Sequence, residues 1–283
     1  MALVAGMSAT ANAQQAVDPD FVASVEHPEY KAERGPIVMI DEAHFNVHTA
    51  SGGHKPFASV LSLDGFRVRP FKERVSARAL KGVDVLVISN ASSAFSDDEV
   101  REVHDWVRRG GALLLIVDHM PAPGAIETLA SAFGAQWSNG YAQDPKSGGL
   151  IVFKRSDGSL GEHAITNGRN SAERIDQVTT FAGSAFQASG AQSLLTFKGE
   201  AVSWLPTSVG KLVSGTPSIS VKGWQQGAVL TLGRGRVALF GEAAMFTAQR
   251  VGPNQEAMGM NARNAPQNQQ FLLNVMHWLT GSL

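Results

Sequence analysis

Two runs of the sequence constrain the fold more than any others: Val83-Asp-Val-Leu-Val-Ile-Ser89-Asn90 and Ala112-Leu-Leu-Leu-Ile-Val117. Neither alternates apolar with polar residues. A strand of that kind needs cover on both faces, which points to the interior of a parallel sheet flanked by helices. Between the runs, Asp97 to Arg109 carries Val100, Val103, Trp106 and Val107 on one helical face. Ser96 with Glu99 three residues on forms a capping box at its start, and Gly110-Gly111 ends it.

The same alternation extends on both sides. Upstream, a strand from about Ile37 to Ile40 precedes Phe57, Val60, Leu61 and Leu63 at helical spacing, with a stop at Gly65. Phe66 to Pro70 then alternates as a second strand, and Ser76 to Gly82 reads as a short helical piece. Downstream, Pro123 to Gly134 predicts one helix. Residues 36–134 therefore read strand, helix, four times over, which implies right-handed crossovers and a doubly wound, mostly parallel α/β sheet. From about Trp137 to residue 227, Gly, Ser and Asn become frequent, and short alternating segments at Gly149 to Arg155, Ser193 to Phe197, Ala201 to Leu205 and Ile219 to Val221 predict a β-rich insertion. Ala228 to Leu232 and Val237 to Gly241, joined by a turn at Gly233 to Arg236, form a hairpin that rejoins the sheet, and a last helix covers about Asn268 to Thr280. The expected organisation is one α/β domain over 36–283, preceded by a polar arm over 14–35.

Residues 1–13 close with Ala11-Asn-Ala13 after a small, apolar stretch and resemble the end of a secretory signal, so the expected location is periplasmic or secreted. Elsewhere no run reaches the roughly 20 apolar residues of a membrane span. The 283 residues carry a formal net charge of −1 with both signs interspersed, which gives no basic face for nucleic acid. There is no cysteine. Thiol nucleophiles, disulfides and thiolate metal sites are thereby excluded, and a metal such as zinc would need His and carboxylate ligands.

In a sheet of parallel strands, ligands bind outside the carboxyl ends of the strands. Three such ends carry chemistry-bearing groups: Asp41-Glu42 with His44 and His48, Asp118-His119, and Glu242. Two roles are open to them. Asp41, His44, His48 and His119 could ligate a divalent metal that acidifies a water, and Glu42, Asp118, His119 and Glu242 could supply the general acid and base. Asp41 and Asp118 could instead brace their loops through backbone amides. His54 lies just beyond His48, whereas His27, His104, His163 and His277 read as surface or packing residues. There is no Gly-x-Ser-x-Gly elbow, and Ser89, Ser92 and Ser93 read as turn-formers rather than nucleophiles.

Val38-Met-Ile-Asp41, Asp84-Val-Leu-Val-Ile-Ser, Phe95-Ser-Asp-Asp-Glu99, Trp106 to His119 and Val237 to Glu242, followed by Asn268 to Leu279, resemble bacterial domains of the class I glutamine amidotransferase-like type, including trehalose-utilisation and gliding-motility relatives. The resemblance implies a flavodoxin-like sheet with its pocket at the carboxyl edge. It also implies that Asp118-His119 stands where amidotransferases keep a cysteine nucleophile, so glutamine hydrolysis through a thioester is excluded. The expected function is an exported hydrolase with a His/carboxylate site, metal-assisted or not. The rival is a non-catalytic envelope module that binds a small molecule, carbohydrate or peptide.

Overall fold

The computed structural model describes residues 15–147 and 149–283. The stretch read as a signal remnant, residues 1–13, lies outside them. The elements that place the site are β1 (Ile37–Asp41), α1 (Lys55–Leu63), β2 (Arg67–Phe71), β3 (Val85–Ser89), α2 (Asp97–Arg108), β4 (Ala112–Ile116), α3 (Glu127–Ala132), β5 (Ala135–Trp137), β6 (Phe186–Ala188), β7 (Gln192–Thr196), β8 (Gln225–Leu232), β9 (Gly235–Phe240) and α4 (Asn268–Thr280). The nine strands make one sheet in the order β2-β1-β3-β4-β9-β8-β6-β5, with β7 also paired to β8. From β2 to β9 every pairing is parallel, and from β9 onward every pairing is antiparallel.

The apolar runs are continuous because each strand feeds two cores. Val85 and Val87 of β3, Leu114 and Ile116 of β4, and Ala238 and Phe240 of β9 face the core built with Phe57, Val60 and Leu61 of α1 and Phe271 and Val275 of α4. Their neighbours Leu86, Ile88, Leu113, Leu115, Val237 and Leu239 face Val103, Trp106 and Val107 of α2 and Leu129 of α3. A period of two within the strand thus meets helices on both faces. The capping box is present as read: the Ser96 hydroxyl accepts from the Glu99 amide, and the Glu99 carboxylate accepts from the Ser96 amide.

Three expectations change. Ser76 to Gly82 forms hydrogen-bonded turns, with Leu80 N–H on Ser76 O and Lys81 N–H on Arg78 O, and no helix; so short a run does not repay the cost of nucleation. The helix expected over Pro123 to Gly134 breaks into Ala122–Ala125 and Glu127–Ala132. Pro123 and Gly124 are poor interior helix residues, and the chain turns at buried Ile126. The β-rich stretch is not set apart from the sheet: β6 and β7 join it through β8 and extend its antiparallel half. Its other strands pair locally, Ile151–Lys154 with Gln177–Thr180, and Tyr141–Gln143 with Val202–Trp204 and then Ser218–Ser220. Part of the arm is also structured, since Ala16–Val17 pairs antiparallel with Ala248–Val251.

Candidate functional site

In the parallel half the chain runs from β1 outward to β2 and then returns past β1 to β3. The connections therefore leave in opposite directions at the carboxyl ends of β1 and β3, and the flanking loops part there to leave a crevice. A cavity of about 440 Å³ lies at this edge. Its polar lining comes from Gln15 of the arm, His48 after β1, Asn90 and Ser92 after β3, Asp118 and His119 after β4, and Gln249. Apolar lining comes from Ala16 and Val17 of the arm and from Val47, Met120, Pro121, Ala122 and Val209.

The local sequence fixes each of these groups. Asn90 follows β3 in a left-handed conformation, φ 46°, which asparagine tolerates better than most residues. Its side-chain oxygen accepts from the Asp118 amide at 2.8 Å, so the β3 and β4 ends are tied together. The two Asp118 oxygens accept from the amides of His119 at 2.8 Å and Ala243 at 3.3 Å. Nδ1 of His119 lies 3.0 Å from the carbonyl of Met120. A carbonyl can only accept, so Nδ1 carries the hydrogen, and in the neutral ring Nε2 is left with a free lone pair. The ring stacks on Tyr141 with centroids 4.2 Å apart. The Tyr141 hydroxyl in turn accepts from the Gly210 amide at 2.8 Å. Burial raises the Tyr141 hydroxyl above its ordinary pKa, the Gly210 N–H opposes this, and the Asp118 charge adds to it.

Glu242 is buried behind Asp118. Its oxygens accept from the amides of Ala244 at 2.9 Å and Met245 at 2.7 Å. Burial, with the neighbouring Asp118 charge, pushes its carboxyl well above the ordinary range, and the amide hydrogen bonds only partly oppose this. The segment before β6 closes over it. A Cβ on Gly241 would meet the Ser184 carbonyl oxygen at 2.2 Å, so that position has room only for glycine.

His44, expected as a metal ligand with Asp41, has a different place. Its Nδ1 lies 2.9 Å from Asp41 Oδ2 and its Nε2 3.2 Å from Glu99 Oε1, and the ring stacks on Phe95 at 3.7 Å. Both ring nitrogens face carboxylates within the protein, and neither is turned to the cavity. Burial works to raise the Glu99 carboxyl, but hydrogen bonds from the Ser96 amide and hydroxyl, the His44 charge and the Val75 amide hold it below the ordinary value. Glu42, expected as a general base, accepts from the Ala50 amide at 2.9 Å and lies 3.9 Å from Lys72 Nζ. It braces the 42–54 loop and does not line the cavity.

His48 reaches the cavity with Nδ1 buried and unpartnered. Burial lowers its pKa, partly offset by Asp118. Next to it, at 4.9 Å between centroids, His54 is fully buried with neither ring nitrogen hydrogen-bonded; burial first, then His48, lowers its pKa well below the usual histidine value. Among the described residues no three His, Asp or Glu side chains are arranged to hold one metal ion. The donor set read from the sequence, Asp41, His44, His48 and His119, does not fit a metal centre here.

Of the seven candidate residues, the cleft gathers His48, Asp118 and His119, with Glu242 behind. Asp41, Glu42 and His44 lie outside the cavity lining, each held by partners within the protein. Sequence reasoning missed Tyr141 and the partnership of Glu99 with His44; nothing in the spacing announces either, because both contacts join segments far apart in the chain.

The fold and cleft define an α/β protein with a polar site at the carboxyl edge of its parallel strands. The chain belongs to the family described as domain of unknown function (DUF4350), which it matches over residues 46–257. No curated protein matches it. Among solved structures, it is similar to the mmIFT52 N-terminal domain (14% identity, TM-score 0.60, covering 86% of this chain and 97% of that one). It is also similar to a ThuA-like protein from Bacteroides uniformis (11%, TM-score 0.50, 90% and 95%) and to a cytoplasmic protein from Salmonella typhimurium (12%, TM-score 0.50, 86% and 98%). At such identities the likeness is one of fold.

Proposed function

We propose that the cleft is a hydrolytic site in which His119 acts as general base on a water molecule. The observation that carries this is the fixed tautomer of His119: Nδ1–H donates to the Met120 carbonyl, so Nε2 is the basic nitrogen on the wall of a cavity also lined by Asn90 and Asp118. The water oxygen attacks an acyl carbon while its proton passes to Nε2. Asn90, whose side-chain oxygen is taken by the Asp118 amide, offers its NH2 group to the developing oxyanion. Collapse of the intermediate expels the alcohol or amine, which takes the proton back from the imidazolium. Asp118 steadies the charged ring, its Oδ1 lying 3.8 Å from Nε2.

The test is turnover of a panel of nitrophenyl esters and anilides by the wild-type protein and by His119→Gln. Loss of about 10²-fold or more in kcat/KM, in the range general-base removal produces, supports the reading. Equal rates for both proteins, or no turnover of any substrate, would end it.

A second reading, a ligand-binding module without catalysis, has its own support. Both oxygens of Asp118 and both of Glu242 already accept backbone amides, an arrangement that shapes a cleft without reactive carboxylates. Thermal stabilisation by an unmodified saccharide or peptide with no turnover would favour it. Export is proposed on the composition of residues 1–13, and N-terminal sequencing of material from a periplasmic fraction tests it. The amidotransferase-like, flavodoxin-like ancestry is likewise proposed, on the strand order and the ThuA-like structural relative.

A further inference from the structure

The rim of the cleft differs from its floor. Val47, on the loop after β1, and Val209, on the loop joining Val202–Trp204 to Ser218–Ser220, both line the cavity and are 66% and 56% exposed. Val47 and Val209, brought from two separate loops to one opening, give an apolar collar above a floor of His48, Asn90, Asp118 and His119. Such a collar costs free energy in water unless something apolar covers it.

The charge of the floor narrows what that is. Among the described residues, no Lys or Arg lines the cavity, and Asp118 is its one acidic group. An anionic head would meet the Asp118 carboxylate with no fixed cation to compensate. A carbohydrate would place some of its hydroxyls against Val47 and Val209, whose side chains offer no hydrogen bond.

We infer that the cleft takes a neutral amphiphile, a carboxylic ester or amide whose polar head reaches Asn90 and His119 while an apolar acyl or aryl group lies between Val47 and Val209. This rests on the cleft being the ligand site and names the substrate class for the hydrolysis above. At about 440 Å³ the cavity falls within the range of small-molecule sites. The collar is also joined to the floor: Gly210, next to Val209, donates to the Tyr141 hydroxyl, and Tyr141 stacks on His119. A ligand that fills the collar therefore presses on the loop that positions the basic imidazole.

Binding is measured by calorimetry with three probes: N-phenylhexanamide, N-phenylacetamide and the anion 4-(hexanoylamino)benzoate. The full-length protein should bind the hexanamide at least about ten-fold more tightly than the acetamide, since each buried methylene contributes. It should bind the anion at least about ten-fold more weakly than the hexanamide. Val47→Asn and Val209→Asn, both at exposed positions that leave the core intact, should each lose most of the preference for the longer chain. An equal or better affinity for the anion, no gain from the longer chain, or a preference unchanged in both variants overturns the inference. Because affinity is read from the binding heats and turnover of the same anilides is followed separately, failure of hydrolysis alone, with these preferences intact, would remove the catalytic reading and leave the ligand class standing.

Discussion

Glu99, in the first turn of α2, lies 3.2 Å from Nε2 of His44 while its other oxygen accepts from both the amide and the hydroxyl of Ser96. One carboxylate thus closes the capping box of a helix and holds the loop after β1 against it. Arg74 at 3.2 Å and the Val75 amide complete its partners. Replacing it by alanine removes the carboxylate half of the capping box, while the Ser96 hydroxyl still accepts from the amide of residue 99, and leaves His44 facing only Asp41. Glu99→Ala is predicted to lose about 3–5 kcal/mol, as buried pairs do when one member is deleted. Urea unfolding measures this, and a loss below about 1 kcal/mol would show that the clamp is dispensable.

Glu99 also gives stability a pH dependence. Its carboxyl is held below the ordinary value in the folded state, so its contribution is present above the unfolded pKa near 4.3 and is lost as pH falls through the lower folded pKa. Glu242 has the opposite sign. Its carboxyl is raised well above the ordinary range, so stability declines as pH rises from about 4.3 toward that higher value. Asp118→Asn removes the neighbouring charge that helps to raise it and keeps the oxygen that accepts from the His119 amide. The variant should therefore show a shallower fall in stability above about pH 4.3 than the wild type. An unchanged slope in chemical denaturation at several pH values would separate Glu242 from Asp118.

His54 is buried with both ring nitrogens unpartnered, and its pKa lies well below the ordinary histidine value. The unfolded chain takes up a proton near pH 6.5 that the folded chain refuses, so stability is lost as pH falls below that value. His54→Phe keeps the contact with Phe57, whose ring centroid lies 5.0 Å away, and removes the unsatisfied polar atoms. It is predicted to stabilise the protein by about 1–3 kcal/mol at neutral pH and more at pH 5.5. A destabilised His54→Phe protein would mean that these nitrogens have a partner in solution.

Tyr141→Phe keeps the ring stacked on His119 and removes the acceptor of the Gly210 amide. Global stability should change by only about 0.5–1.5 kcal/mol. Amide exchange at Gly210 and its loop neighbours should speed up by roughly ten-fold, since 1.4 kcal/mol corresponds to that factor. Unchanged exchange at Gly210 would show that the loop is held by other contacts.

Much of the scaffold is legible in the amino-acid pattern because burial on both faces leaves a direct mark. Val85 to Ser89 and Ala112 to Ile116 had to be interior strands, and Ser96 with Glu99 had to start a helix between them. The ends of those strands are legible for the same reason, which is why His48, Asp118 and His119 could be placed at one edge. Other features are decided only by long-range packing. His44 and His48 look alike in the sequence, yet the approach of Glu99, 55 positions later, turns one into part of a buried clamp and leaves the other on the cleft. Val209 and Tyr141 become part of the site because a local sheet carries Tyr141 and its loop back to β4. Local pattern determined the strands, the helices and the polar groups at their ends; tertiary structure decided which of those groups face the cavity, because hydrogen-bond partners and solvent access depend on segments distant in sequence.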